Sequence, residues 1–101
     1  MDDARKNDSE KARFALIPAT PLYELAELFT KGAALYGDRN WEKGLRWGRV
    51  FAALMRHAWK WWRGEEFDKE DGQHHMIACA WCALVLREYT HTGKGKDDRP
   101  K

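Results

Sequence analysis

No stretch of this sequence is apolar enough to cross a bilayer. The longest apolar run, Met76 to Leu86, is far shorter than the roughly 20 residues that a membrane helix needs. The first 13 residues are almost wholly polar, so no secretory leader is expected there and the expected location is the cytoplasm. Charge of one sign is in short supply. Eighteen basic against 16 acidic residues leave a net charge of +2, without the basic excess that marks a binder of duplex DNA. Cysteine is scarce as well. Cys79 and Cys82 lie one helical turn apart in a hydrophobic stretch, which reads as buried reduced thiols rather than a disulfide. No internal repeat is visible.

What the sequence does have is tryptophan. Six of its 101 residues are Trp and 44% are hydrophobic, enough to form a core in a single domain of ordinary size. A chain this short buries only about two thirds of the surface it exposes when unfolded, so a second copy would add stability. Large aromatic side chains fill cores, line base-stacking pockets or build subunit contacts.

Residues 1–13 are charged and aperiodic and read as a mobile arm; residues 91–101 read as a mobile tail. Between them, residues 14–90 form the expected all-α domain. Thr20-Pro21 signals a helix start, an N-cap followed by proline. Leu22, Leu25, Ala26, Phe29, Gly32, Ala33 and Tyr36 then recur on one helical face, and Gly37 ends the helix. The polar 37–46 loop, with its lone Trp41, is a candidate binding loop. A second helix is expected over 47–63, with a core stripe of Trp47, Phe51, Leu54, Ala58 and Trp61. Arg49, Arg56, Lys60 and Arg63 lie on its opposite face, and Gly64 closes it. A third helix, over 73–90, is apolar nearly all round and should be buried on most sides. The expected fold is an all-α, three-helix antiparallel bundle that assembles into a helical homo-oligomer, a dimer or larger.

Several constellations carry possible chemistry, each beside a plainer alternative. The acidic segment 63–71 (RGEEFDKED) places carboxylates between two helix ends; these suit Mg²⁺, or form a solvated acidic turn. Glu24 and Glu27 stand one turn apart and can share an ion, although Glu27 is also at salt-bridge spacing from Lys31. His57 sits at the edge of the second helix's apolar face, as a hydrogen-bonded core histidine or a working one. His75 shares a stripe with Cys79 and Cys82, a set that would suit Zn²⁺ or be simply buried. The basic stripe of the second helix can grip phosphates, or be the charged face that any such helix shows.

Taken jointly, Arg13-Phe14-Ala15-Leu16-Ile17-Pro18, Gly32-Ala33 through Tyr36 to Asn40-Trp41 and Gly44, Ala53-Leu54 with Arg56-His57, Trp61-Trp62 through Gly64-Glu65-Glu66 to Asp68, and His75 with Ala80-Trp81 resemble a known family. It is the phage and bacterial dATP/dGTP diphosphohydrolase N-terminal domain, and the resemblance covers residues 13–89. It implies kinship with the MazG-like all-α pyrophosphohydrolases, which oligomerise, bind Mg²⁺ through helix carboxylates and split nucleoside triphosphates into monophosphate and pyrophosphate. Ala15 stands where the family motif has Asp. The Glu-Glu-x-x-Glu signature of the MazG group is missing, with Glu24-x-x-Glu27 a partial echo.

Two functions follow from the resemblance and the residues together. One is a phage Mg²⁺- or Mn²⁺-dependent (deoxy)purine nucleoside triphosphate pyrophosphohydrolase, acting in the cytoplasm of an infected bacterial host. Its metal would be held by Glu65, Glu66 or Asp68, with or without Glu24 and Glu27, its catalytic groups would be His57, Glu65 and His75, and its nucleotide contacts Tyr36, Arg39, Asn40, Trp41, Trp47, Arg56 and Arg63. The other is a non-catalytic anti-defence protein that sequesters a nucleotide-derived immune signal and needs no cofactor.

Overall fold

Three α-helices carry the structure, a computed structural model that describes residues 4–5 and 7–101: α1 (Ala19–Tyr36), α2 (Trp47–Trp62) and α3 (His75–Thr92). Short 3₁₀ turns cover Phe14–Leu16 and Asn40–Lys43. No strand forms among the described residues; the β contacts are two isolated bridges, Arg46 with Lys96 and Phe67 with His74. The expected arm falls partly outside the described residues (1–3 and 6), and its described part is exposed.

The helix ends follow from local chemistry. Pro18, extended at φ −61° and ψ 126°, precedes α1, so Thr20 and Pro21 fall within the first turn rather than at the cap. Proline is tolerated there because the first amides of a helix have no intrahelical partner. Gly37 ends α1 at φ 96°, a conformation that favours glycine. At the start of α3 the His74 ring nitrogen Nδ1 accepts from the Met76 amide at 3.0 Å, a capping role the sequence did not suggest.

α2 and α3 form the main packed pair. His57 meets His75, Leu54 meets Cys79, and Trp47 meets Lys94, so the partner number rises as the α2 number falls. The two helices are therefore antiparallel. Trp47, Val50, Cys82, Val85 and Tyr89 make the buried core, with Phe29, Trp41, Leu45 and Leu54 packed on it. The α2 core stripe thus keeps Trp47 and Leu54 of the expected one, with Val50 buried in place of Phe51 and His57 on the same side. Phe51 and Trp61 face outward instead.

The fully buried Tyr89 ties the loop to this core. Its hydroxyl donates to the Trp41 carbonyl at 2.6 Å and accepts from the Leu45 amide at 3.1 Å. Beyond Gly93 the tail lies against the start of α2. The Lys96 carbonyl accepts from the Trp47 amide at 2.9 Å, and the Asp98 carboxylate accepts from the Gly48 amide at 2.7 Å. Arg46, the residue at the α2 cap position, makes no side-chain cap, so Asp98 supplies that function from 50 residues away. Its charge also suits the positive end of the helix dipole. Asp98→Ala should cost about 1 kcal/mol, the usual worth of an N-cap, and lower Tm by roughly 4–8 °C. An unchanged Tm in calorimetry would show that the tail caps nothing in solution.

α1 packs on α3 and on the second 3₁₀ turn but has no packed interface with α2. It buries none of its residues. The expected three-helix bundle is therefore open along one side, because the apolar face of α1 is shared out between α3 and the loop.

Candidate functional site

Where α1 and α2 part, they leave a cleft of about 980 Å³, in the size range of small-molecule sites. Phe29, Ala33 and Tyr36 line it from α1, Arg49, Ala53 and Arg56 from α2, and Trp81 and Cys82 from α3. Residues 37–41 of the loop, Leu45 and Asp71 also line it.

The loop end of the cleft is aromatic and well braced. The Trp41 ring meets Phe29 edge-on, with centroids 6.5 Å apart, and Tyr89 at 6.4 Å. The Arg39 guanidinium lies 5.7 Å from the Trp41 centroid, a cation–π distance. Arg39 has φ 55°, uncommon for a residue with a side chain, and a hydrogen-bonded ion pair with Glu42 accompanies this conformation. Asn40 and Tyr36 complete this end. Arg49 and Arg56 follow along α2, two turns and about 10 Å apart along the axis.

Tyr36, Arg39, Asn40, Trp41 and Arg56 therefore line one space. Trp47 and Arg63 lie elsewhere. Trp47 is a core residue whose indole N–H donates to the Lys94 carbonyl at 2.9 Å and whose ring is covered by Arg99 at 4.8 Å. Arg63 sits at the C-terminal cap of α2, outside the cleft. Arg49 takes its place in the lining, with the same seven-residue spacing from Arg56. The basic stripe already displayed Arg49; choosing between its members needed the direction in which α1 leans.

A second group of functional side chains lies at the end of the α2–α3 interface, beneath the acidic loop. His57, Asp68 and His75 each bring one possible ligand atom within 4.8 Å of the others. The two Nδ1 atoms are 2.9 Å apart, and His57 Nδ1 is 3.9 Å from Asp68 Oδ2. His75 is wholly buried, and its Nε2 donates to Glu65 Oε2 at 2.6 Å. Burial, followed by the neighbouring His75, holds His57 below the ordinary histidine value. The Asp68 carboxyl is held below the usual carboxylate range, above all by the Glu70 amide that donates to Oδ1. Asp71 connects the two regions, lining the cleft and also acting electrostatically on His57.

The expected sets are thus redistributed. His57, Glu65, Asp68 and His75 converge, whereas Glu66 turns to the surface and pairs with His74 at 2.8 Å. Glu24 and Glu27 on α1 belong neither to the cleft lining nor to the converging group. A helix bearing them would have to approach the acidic loop to share an ion, and α1 is held against α3 instead. The His75–Cys79–Cys82 set does not form among the described residues: Cys79 Sγ donates to the Leu54 carbonyl at 3.4 Å, and Cys82 is packed in the core.

Both thiols are free, and burial pushes Cys82 up to about 11. Because the thiolate is the reactive form, Cys82 should resist iodoacetamide in the folded protein at neutral pH and react once denaturant is added. Peptide mass spectrometry reads this directly. Native-state labelling at the rate of a free thiol would mean that the core opens around it.

The family model described as dATP/dGTP diphosphohydrolase, N-terminal, matches residues 1–99. No curated protein and no solved structure matches the chain.

Proposed function

The chain belongs to the dATP/dGTP diphosphohydrolase N-terminal family, and from that premise we propose that its cleft binds a (deoxy)purine nucleoside triphosphate and releases monophosphate and pyrophosphate. The observation that carries this reading is the pairing within one cleft of a Trp41–Asn40–Tyr36 end with Arg49 and Arg56. An indole face stacks on a base and an amide hydrogen-bonds to its edge. Two guanidinium groups about two helical turns apart suit a phosphate chain. Water attacks the α-phosphorus, the α–β anhydride bond breaks and pyrophosphate departs; the arginines offset the charge that grows on the leaving group. Mg²⁺ enters as the partner of the triphosphate, whose oxygens are among its ordinary ligands.

One observation favours the alternative, a phage anti-defence protein that sequesters a nucleotide-derived signal. Asp38 and Asp71 are the only carboxylates that line the cleft among the described residues, a sparse set for catalysis and sufficient for binding. The experiment that separates the two is incubation with pooled nucleotides and Mg²⁺, followed by mass spectrometry. Consumption with pyrophosphate release supports the enzyme; retention of intact nucleotide supports the binder. A protein that does neither contradicts both.

A homo-oligomer is part of the same proposal. Phe51, Met55, Trp59 and Trp62 are spaced by four, four and three residues along one face of α2, and each is at least 50% exposed. A continuous apolar stripe of that kind is what an isologous subunit contact buries. Light scattering at micromolar concentration should give a dimer or larger; a monomer mass there would refute this part.

A further inference from the structure

We propose that His57, Asp68 and His75 bind one divalent first-row transition-metal ion, with Glu65 positioning His75 from behind. The site goes beyond the nucleotide reading and stands whether or not the cleft hydrolyses anything. Ligand atoms around an ion with bonds of about 2.1 Å sit roughly 3–3.5 Å apart; here His57 lies 2.9 Å from His75 and 3.9 Å from Asp68, and all three atoms fall within 4.8 Å of one another. Small side-chain rotations would bring all three onto one centre.

The protonation pattern points the same way. A carboxylate can only accept, so the hydrogen bond to Glu65 places the His75 proton on Nε2 and leaves the Nδ1 lone pair facing His57. A carboxylate behind a ligating histidine is the recurrent arrangement that fixes its tautomer and raises its basicity. Asp68 is prepared in a similar way. Its amide donates to the Gln73 carbonyl at 2.8 Å, its carbonyl accepts from the Gly72 amide at 2.8 Å, and Oδ1 accepts from Glu70 at 2.9 Å. Oδ2 takes no hydrogen bond among the described residues and faces His57. Both inner ligands are buried, Asp68 at 7% exposure and His75 at 0%, so the donor set is held in place before an ion arrives.

Two imidazoles with one carboxylate select borderline ions such as Zn²⁺, Co²⁺ or Fe²⁺ over Mg²⁺, which favours oxygen ligands. Three protein ligands also leave coordination positions open.

The test is calorimetric titration of the chelator-stripped full chain with Zn²⁺, Co²⁺, Mn²⁺ and Mg²⁺ separately, with elemental analysis for stoichiometry. One ion per chain is expected, Zn²⁺ and Co²⁺ binding more tightly than Mn²⁺, with no Mg²⁺ bound where Zn²⁺ saturates. Bound Co²⁺ should give a visible ligand-field spectrum. His57→Gln and Asp68→Asn should each weaken binding at least about tenfold, and Glu65→Gln by about 10- to 100-fold with an altered Co²⁺ spectrum. Glu66→Gln, at the exposed pair nearby, should change nothing. Circular dichroism checks that each variant is folded; if Asp68→Asn is not, His57→Gln at the half-buried rim carries the test. The proposal is overturned by a folded parent that takes up no ion, in which case the two imidazoles share only a proton. It is equally overturned by binding that survives His57→Gln and Asp68→Asn, by binding lost in Glu66→Gln, or by Mg²⁺ competing on equal terms. None of these readouts depends on nucleotide turnover.

Discussion

Tyr89→Phe is expected to destabilise the protein by about 1–3 kcal/mol, although it removes a single oxygen atom. The hydroxyl is the partner of both the Trp41 carbonyl and the Leu45 amide, and Tyr89 has no exposed surface. Deleting it leaves the Leu45 amide unpaired and the Trp41 carbonyl with the Gly44 amide alone, and a buried unpaired group costs about 1–3 kcal/mol. The ring stays, so no cavity of consequence forms and the whole loss belongs to the hydrogen bonds. Urea unfolding should show the midpoint falling with an unchanged slope. A loss under about 0.5 kcal/mol would mean that water replaces the hydroxyl and that the loop is not pinned through it, since replacing a group's partners in full removes most of the penalty. Nucleotide affinity should fall as well, because the same bond holds the backbone of Trp41 at the cleft.

Arg56→Ala and Arg49→Ala should each weaken nucleotide binding by about 1–3 kcal/mol, roughly 5- to 150-fold, the value of a lost charge-assisted hydrogen bond. Trp41→Ala should do the same by removing a stacking surface. The arginines give the cleaner measurement. Both are exposed, so their truncation leaves the core intact, whereas Trp41 also packs against Phe29 and Tyr89 and its loss must be read beside a stability measurement. Arg63→Ala is the informative control, since Arg63 lies at the helix end outside the cleft and should bind like the parent. If Arg63 matters and Arg49 does not, the phosphate chain runs along the other side of α2 and the proposed cleft is the wrong one.

The helices were legible in the sequence because their punctuation is local. Gly37, Gly64 and the apolar periodicity of residues 22–36 act within a few residues, and the three expected spans lie within about two residues of the observed ones. What was not legible depends on contacts distant in sequence. Nothing near Asp98 announces that it caps a helix beginning at Trp47. Phe51 and Val50 are equally apolar, and only the line of α3 decides that Val50 is the buried one. His57 and His75 were each visible as candidates. Their meeting at 2.9 Å required the 64–72 loop to fold back and seat Asp68 beside them. Arg49 and Arg63 have equal claims by spacing from Arg56, and the lean of α1 alone separates them.

The shallow seating of α1 has a dynamic consequence. A helix with no buried residue has little apolar contact to lose on opening, so its amides should exchange with solvent through local detachment, well before those of α2 and α3. A ligand between α1 and α2 binds only the docked form, and its apparent affinity is reduced by the fraction of time α1 spends away. Occupancy would in turn slow exchange along α1 and leave α3 unchanged. The helix that forms one wall of the cleft would then be the least stable element of the domain until the cleft is filled.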